Sequence, residues 1–214
     1  MKKRSVHIPI SAGSLEGFLQ IPLNAQGIVV FAHGSGSGRF SPRNQFVANH
    51  LNEQGIATLL IDLLTAREEE IDERTKEFRF SIELLTSRVV QITDWLAKES
   101  ETESLRVGYF GASTGAAAAL GAAAVRPIVA AIVSRGGRPD LARSLLAQVK
   151  TPTLLIVGEH DPEVIQMNEE ALKLLTCQKK LVIIPRATHL FEEPGCLEKV
   201  AQIASEWFSE HFSK

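Results

Sequence analysis

The sequence predicts an α/β fold, a mostly parallel, doubly wound sheet buried on both faces under flanking helices. Three observations carry this. Six continuous apolar runs recur without the polar alternation of a half-exposed strand, the pattern of strands covered on both sides. Stretches with helical spacing or composition separate them. Two runs with β-type alternation, joined by a short turn, precede the whole series.

The elements follow in order. "RSVHIPI" (4–10) and "LEGFLQIP" (15–22), separated by "SAGS", read as an N-terminal hairpin. The apolar runs are "GIVVFAH" (27–33), "IATLLID" (56–62), "LRVGYF" (105–110), "PIVAAIVS" (127–134), "TPTLLIVG" (151–158) and "KLVIIP" (180–185). Helices are expected over 40–54, 81–96, 114–125, 140–149, 163–175 and 196–212. The 81–96 helix is the clearest, because Ile82, Leu85, Val89, Ile92 and Leu96 form one apolar stripe behind a Ser81 N-cap. The charge-dense segment 63–85 reads as a solvated loop and helix face, with a flap over the site as the functional alternative. No repeat, linker or composition break divides the chain, so residues 1–214 are expected to form one domain.

Composition narrows the function classes. A formal net charge of −2 leaves no basic footprint for nucleic acid. The N-terminal "MKKRSVHIPISAG" has a basic start but no apolar segment after it, so no signal peptide is expected. No run reaches the length of a membrane span. Cys177 and Cys196 lack metal-ligand spacing, and two thiols in a chain of this size fit a reducing, cytoplasmic setting. A monomer or homodimer acting on a small molecule, without metal or organic cofactor, is the expectation.

In a doubly wound sheet ligands bind beyond the carboxyl ends of the strands, so chemistry is sought in the residues after each apolar run. After "LRVGYF" comes Gly111-Ala112-Ser113-Thr114-Gly115, a G-x-S-x-G pattern between a strand and a helix. A nucleophile on such a sharp turn needs flanking residues without side chains, and the helix N-terminus favours developing negative charge. A close-packing turn would use the same glycines, so the other strand ends must decide. A serine hydroxyl needs a base, and in this topology the order along the chain is Ser, acid, His. His7, His33 and His50 precede Ser113. His160 precedes every good acid except its own neighbour, and His211 belongs to an amphipathic stretch. His189, just past the last strand, remains as the base.

Asp161 and Asp140 compete as the acid. Asp161 before Pro162 also fits a helix N-cap, yet it leaves the strand next in sequence to the one bearing His189, which favours it for orienting the imidazole. The loop "HGSGSG" (33–38) offers a backbone donor. The Ser35 N–H and the Thr114 N–H are the expected oxyanion hole. A phosphate loop is disfavoured there, because the spacing matches neither glycine-rich nucleotide motif and no lysine follows. Arg39, Arg67, Arg135 and Arg138 also fall near strand ends, and any of them could pair a substrate carboxylate.

These pieces resemble the α/β-hydrolase superfamily, and within it the small dienelactone-hydrolase-like proteins. The resemblance runs through "GIVVFAHGSGSG", "GYFGASTGAA", "VGEHDP" and "PRATHLF", nearly the whole chain. It implies an eight-stranded, mostly parallel sheet with an antiparallel strand near its start and little or no cap domain. It also implies acyl-enzyme chemistry with Ser113 as nucleophile, Asp161 as acid and His189 as base. One departure is chemical: true dienelactone hydrolases carry cysteine at the centre of the elbow, where this chain has Ser113. The expectation is therefore a serine hydrolase of a small carboxylic ester, thioester or lactone. A binding protein with a vestigial site, or an acyltransferase using the same triad, are the alternatives.

Overall fold

The computed structural model describes residues 2–213. It contains one eight-stranded sheet in the order β1-β2-β4-β3-β5-β6-β7-β8. The strands are β1 (Lys2–Ile10), β2 (Gly13–Ile21), β3 (Gly27–Ala32), β4 (Ala57–Ile61), β5 (Arg106–Ala112), β6 (Ala131–Arg135), β7 (Thr153–Gly158) and β8 (Lys179–Ile184). β1 and β2 form the antiparallel hairpin, with Ile10 opposite Gly13, and β2 runs antiparallel to β4. Every pairing from β4 through β8 is parallel.

The apolar runs lack alternation for the expected reason. In β3, Ile28 and Val30 enter the core on one face of the sheet, while Val29 and Phe31 enter the core on the other. The first core is closed by α3 (Ile82–Leu96) and α4 (Thr114–Val125), the second by α1 (Pro42–Glu53) and α6 (Cys196–Phe212). α4 is apolar all round and almost wholly buried, from Ala116 through Ala123, as a helix enclosed on every side should be. Its alanines and glycines let it sit close to both β3 and β5.

Two segments differ from the sequence expectation. Residues 63–85 contain a helix of their own, α2 (Ala66–Thr75), opened by a capping box in which Thr65 and Glu68 bond each other's backbone N–H. Glu68 also pairs with Arg88 of α3, and Asp72 accepts from the Phe78 and Arg79 amides and the Arg79 guanidinium. High charge density there hid a helix whose charges tie it down. The stretch expected as a helix over 140–149 is instead a 3-10 segment, Pro139–Gln148, broken at Arg143, where φ is 50°. A positive φ on a non-glycine residue ends regular helix geometry. The remaining helix, α5 (Pro162–Leu174), lies where expected. No cap domain is inserted among the described residues, and no helix there is long and apolar enough to cross a membrane.

Candidate active site

Ser113 joins β5 to α4 with φ 49° and ψ −120°. That conformation costs a non-glycine residue roughly 1–3 kcal/mol and persists only when its surroundings enforce it. Here they do. The Ser113 N–H donates to the Arg135 carbonyl at 3.2 Å, and the Ser113 carbonyl accepts from Ala116 and Arg138 at 3.1 and 3.0 Å. A Cβ on Gly111 would stand 2.4 Å from Ala116 Cα, and one on Gly115 would stand 2.1 Å from the Ala32 carbonyl oxygen. The glycines of the motif therefore serve the turn and the close packing together.

β7 and β8 bring the next pair. His189 Nδ1 lies 2.6 Å from Asp161 Oδ2, a charge-assisted distance. Asp161 does occupy the N-cap position of α5, ahead of Pro162, but its side chain makes no capping hydrogen bond. It is turned to the imidazole instead. Asp140, the competing acid, is held by both Oδ atoms on Arg138 Nε and Nη2, at 2.9 and 2.8 Å. With Nδ1–H donating to Asp161, His189 Nε2 keeps a free lone pair. The turn at Gly136 links this pair to the elbow: Arg135 accepts the Ser113 amide, and a Cβ on Gly136 would lie 3.5 Å from His189 Cε1. No hydrogen bond joins the Ser113 hydroxyl to His189 among the described residues; catalytic hydrogen bonds of this kind commonly tighten only with substrate in place.

The 33–38 loop is fixed from beneath by His33. Its Nε2 accepts the Leu63 N–H at 2.9 Å, so Nδ1 carries the proton and donates to the Gly34 carbonyl at 2.9 Å. Burial pushes the His33 pKa below its ordinary value, against the smaller upward pull of the Gly34 bond and Asp62. His33 is thus a neutral tether. The Ser35 amide, expected to be open to an oxyanion, donates at 2.9 Å to Thr114 Oγ1. That contact escaped the sequence reading, although the threonine directly after Ser113 was its signal. The Thr114 amide sits at the first position of α4, where helix N–H groups lack intrahelical acceptors.

The remaining candidates separate cleanly. His211 is buried, bonded to the Trp207 carbonyl and packed on the Trp207 ring. Arg39 pairs with Asp62 and Glu16, Arg138 with Asp140, and Arg67 is exposed in the first turn of α2. Arg135 is only 7% exposed and has no carboxylate partner among the described residues. Its Nη2 lies 3.5 Å from Asn44 Oδ1, and Nε and Nη1 have no partner among the described residues. Burial, reinforced by the Arg43 charge, pushes its pKa down to about 10, which leaves it cationic at neutral pH. Beside the 33–38 loop opens a crevice of about 640 Å³, walled by Ser35, Arg39, Phe40, Arg43, Asp62 and Glu69. That is the size range of small-molecule sites. No group of three metal-ligating side chains occurs among the described residues.

Comparison with known proteins agrees with this architecture. A dienelactone hydrolase from Anabaena variabilis, solved by crystallography, is 61% identical, and the match covers 98% of each chain with a TM-score of 0.97. Est1E from Butyrivibrio proteoclasticus shares the fold at a TM-score of 0.81 and 19% identity, covering 98% of this chain and 99% of its own. Among curated proteins, two strains of Mycobacterium tuberculosis carry a relative, provisionally named a phosphoribosyl transferase, that is 53% identical over 211 residues. Those residues are 97% of this chain but 47% of the relative, so the chain spans about half the length of the curated proteins it matches. Residues 15–211 match the dienelactone hydrolase family, and the chain belongs to that family.

Proposed function

We propose that this chain hydrolyses a small carboxylic ester, thioester or lactone through an acyl-enzyme on Ser113. The observation that carries the reading is the 2.6 Å bond between His189 and Asp161, set across the Gly136 turn from a serine held at positive φ. Asp161 fixes the imidazole tautomer with Nε2 free. His189 then takes the Ser113 proton as Oγ bonds to the substrate carbonyl carbon and the carbonyl electron pair moves to oxygen. Donors at the start of α4 stabilise that oxyanion. As the tetrahedral adduct collapses, His189 gives the proton to the leaving oxygen or sulfur. It next deprotonates a water that releases the acyl group.

The serine in place of cysteine favours simple ester chemistry over the dienelactone reaction itself. The phosphoribosyl transferase name belongs to proteins about twice as long, of which this chain matches 47%. Acyl transfer to an alcohol would use the same first step. Hydrolysis of aryl acetate, aryl butyrate and simple lactones by wild type and Ser113→Ala tests the reading. Wild type should turn over at least one ester class, and Ser113→Ala should lose about 10⁴-fold or more in kcat. Equal rates for the two proteins would refute it.

A further inference from the structure

The Ser35 amide points at a side chain and not into open space. Its acceptor, Thr114 Oγ1, belongs to the residue directly after Ser113. Thr114 is largely buried, 5% exposed. The Thr114 O–H proton has no acceptor among the described residues, and a buried donor without a partner is costly. The neighbouring packing is close: a Cβ on Gly34 would lie 3.1 Å from Ser113 Cβ. The hydroxyl therefore sits between the loop that should supply one oxyanion donor and the helix that supplies the other.

We propose that the Thr114 hydroxyl is itself an oxyanion donor, so that the Ser35 amide acts through it. This rests on Ser113 being the nucleophile. When Ser113 Oγ bonds to the carbonyl carbon and its proton passes to His189 Nε2, the carbonyl electron pair settles on oxygen. Thr114 then offers two hydrogen bonds to that oxygen, from its main-chain N–H and its side-chain O–H, and no proton leaves it. The Ser35 N–H polarises the hydroxyl from behind, which makes it a stronger donor. For the Ser35 amide to reach the oxyanion directly, Thr114 Oγ1 would first have to leave it, against the stiff χ1 of a β-branched side chain.

The test compares wild type with Thr114→Val, Thr114→Ala and Thr114→Ser on an aryl acetate, with thermal melts to establish folding. Thr114→Val and Thr114→Ala should lose about 100-fold in kcat with KM changed by no more than about threefold. Thr114→Ser should stay within about fivefold of wild type. Phenylboronic acid, which forms a tetrahedral anion on a serine, should bind wild type and Thr114→Ser but lose about 100-fold in affinity to Thr114→Val. Wild-type kcat and boronate affinity in both Thr114→Val and Thr114→Ala would overturn the proposal and return the role to the Ser35 amide. Loss in Thr114→Ser as large as in Thr114→Val would also overturn it, since packing of the methyl group would then be what matters. Fluorophosphonate labelling of wild type runs alongside. Absence of an adduct on Ser113 defeats the nucleophile assignment itself, an outcome distinct from either result with the variants.

Discussion

Replacing Gly115 by alanine puts a methyl group into space already filled by main chain. A Cβ there would stand 2.1 Å from the Ala32 carbonyl oxygen and 2.5 Å from that of His33. Both atoms belong to the buried end of β3 and its loop, so neither can swing away as a side chain would. α4 would have to withdraw from β3 by about 1 Å, into α3 and the 139–148 segment packed against it. Overpacking of this severity should cost at least about 3 kcal/mol, which for a chain of this length is about 6–12 °C in melting temperature. The same movement carries Thr114 away from Ser35, and a misplacement of about 1 Å costs on the order of 100-fold in rate. Gly55→Ala is the control. Nothing lies within 4 Å of its Cβ position, and its φ of +79° leaves only backbone strain, about 1–2 kcal/mol. Thermal melts and the rate of fluorophosphonate labelling read both effects. If Gly115→Ala melts within about 2 °C of wild type and labels at the wild-type rate, the steric account of the elbow is wrong.

Further expectations concern other residues. Asp161→Asn should lower kcat by about 10⁴-fold, while Asp140→Asn, which only frees Arg138, should change it by less than about tenfold; steady-state kinetics giving the reverse order would reassign the acid. Burial would push the Asp72 carboxyl up, but hydrogen bonds from Arg79 and the Phe78 amide outweigh it and hold the pKa below the ordinary value. A carboxylate lowered on folding stabilises fully above its unfolded pKa, about 4, and loses that contribution as pH falls through its folded pKa. Melting curves should therefore show Asp72→Asn destabilised at pH 7, with the gap to wild type closing toward pH 2. A constant gap would remove the charge from the explanation. Arg135 is buried with no carboxylate partner among the described residues, so Arg135→Met should leave the melting temperature unchanged or raise it; a fall of more than about 5 °C would mean that its bond to Asn44 and its position 5.9 Å from the centre of the Phe191 ring stabilise the fold.

The sheet was legible because burial on both faces writes itself into continuous apolar runs, as in β3, where Val29 and Phe31 face one core and Ile28 and Val30 the other. The pairing of Asp161 with His189 was legible from chain order and strand position. Its competing explanation as a helix cap was settled only by where the carboxylate points. α2 escaped because its mostly charged positions carry no apolar period; its local signal was the Thr65–Glu68 capping box, and pairs such as Glu68 with Arg88 complete its anchoring. The break at Arg143 escaped for a related reason, since nothing in the local composition demands a positive φ there. The Thr114 side-chain contact was invisible because it joins residues 79 apart, through a hydroxyl that local reading treats as incidental.

The central claim is that Ser113 becomes covalently acylated during turnover. Peptide mass spectrometry after exposure to a fluorophosphonate, and after rapid acid quench of an aryl ester reaction, measures this directly. An adduct on the peptide containing Ser113, absent in Ser113→Ala and strongly slowed in His189→Ala, is the predicted result. Turnover of the ester with no adduct on Ser113, or with the adduct on Cys177 or Cys196 instead, would contradict the account.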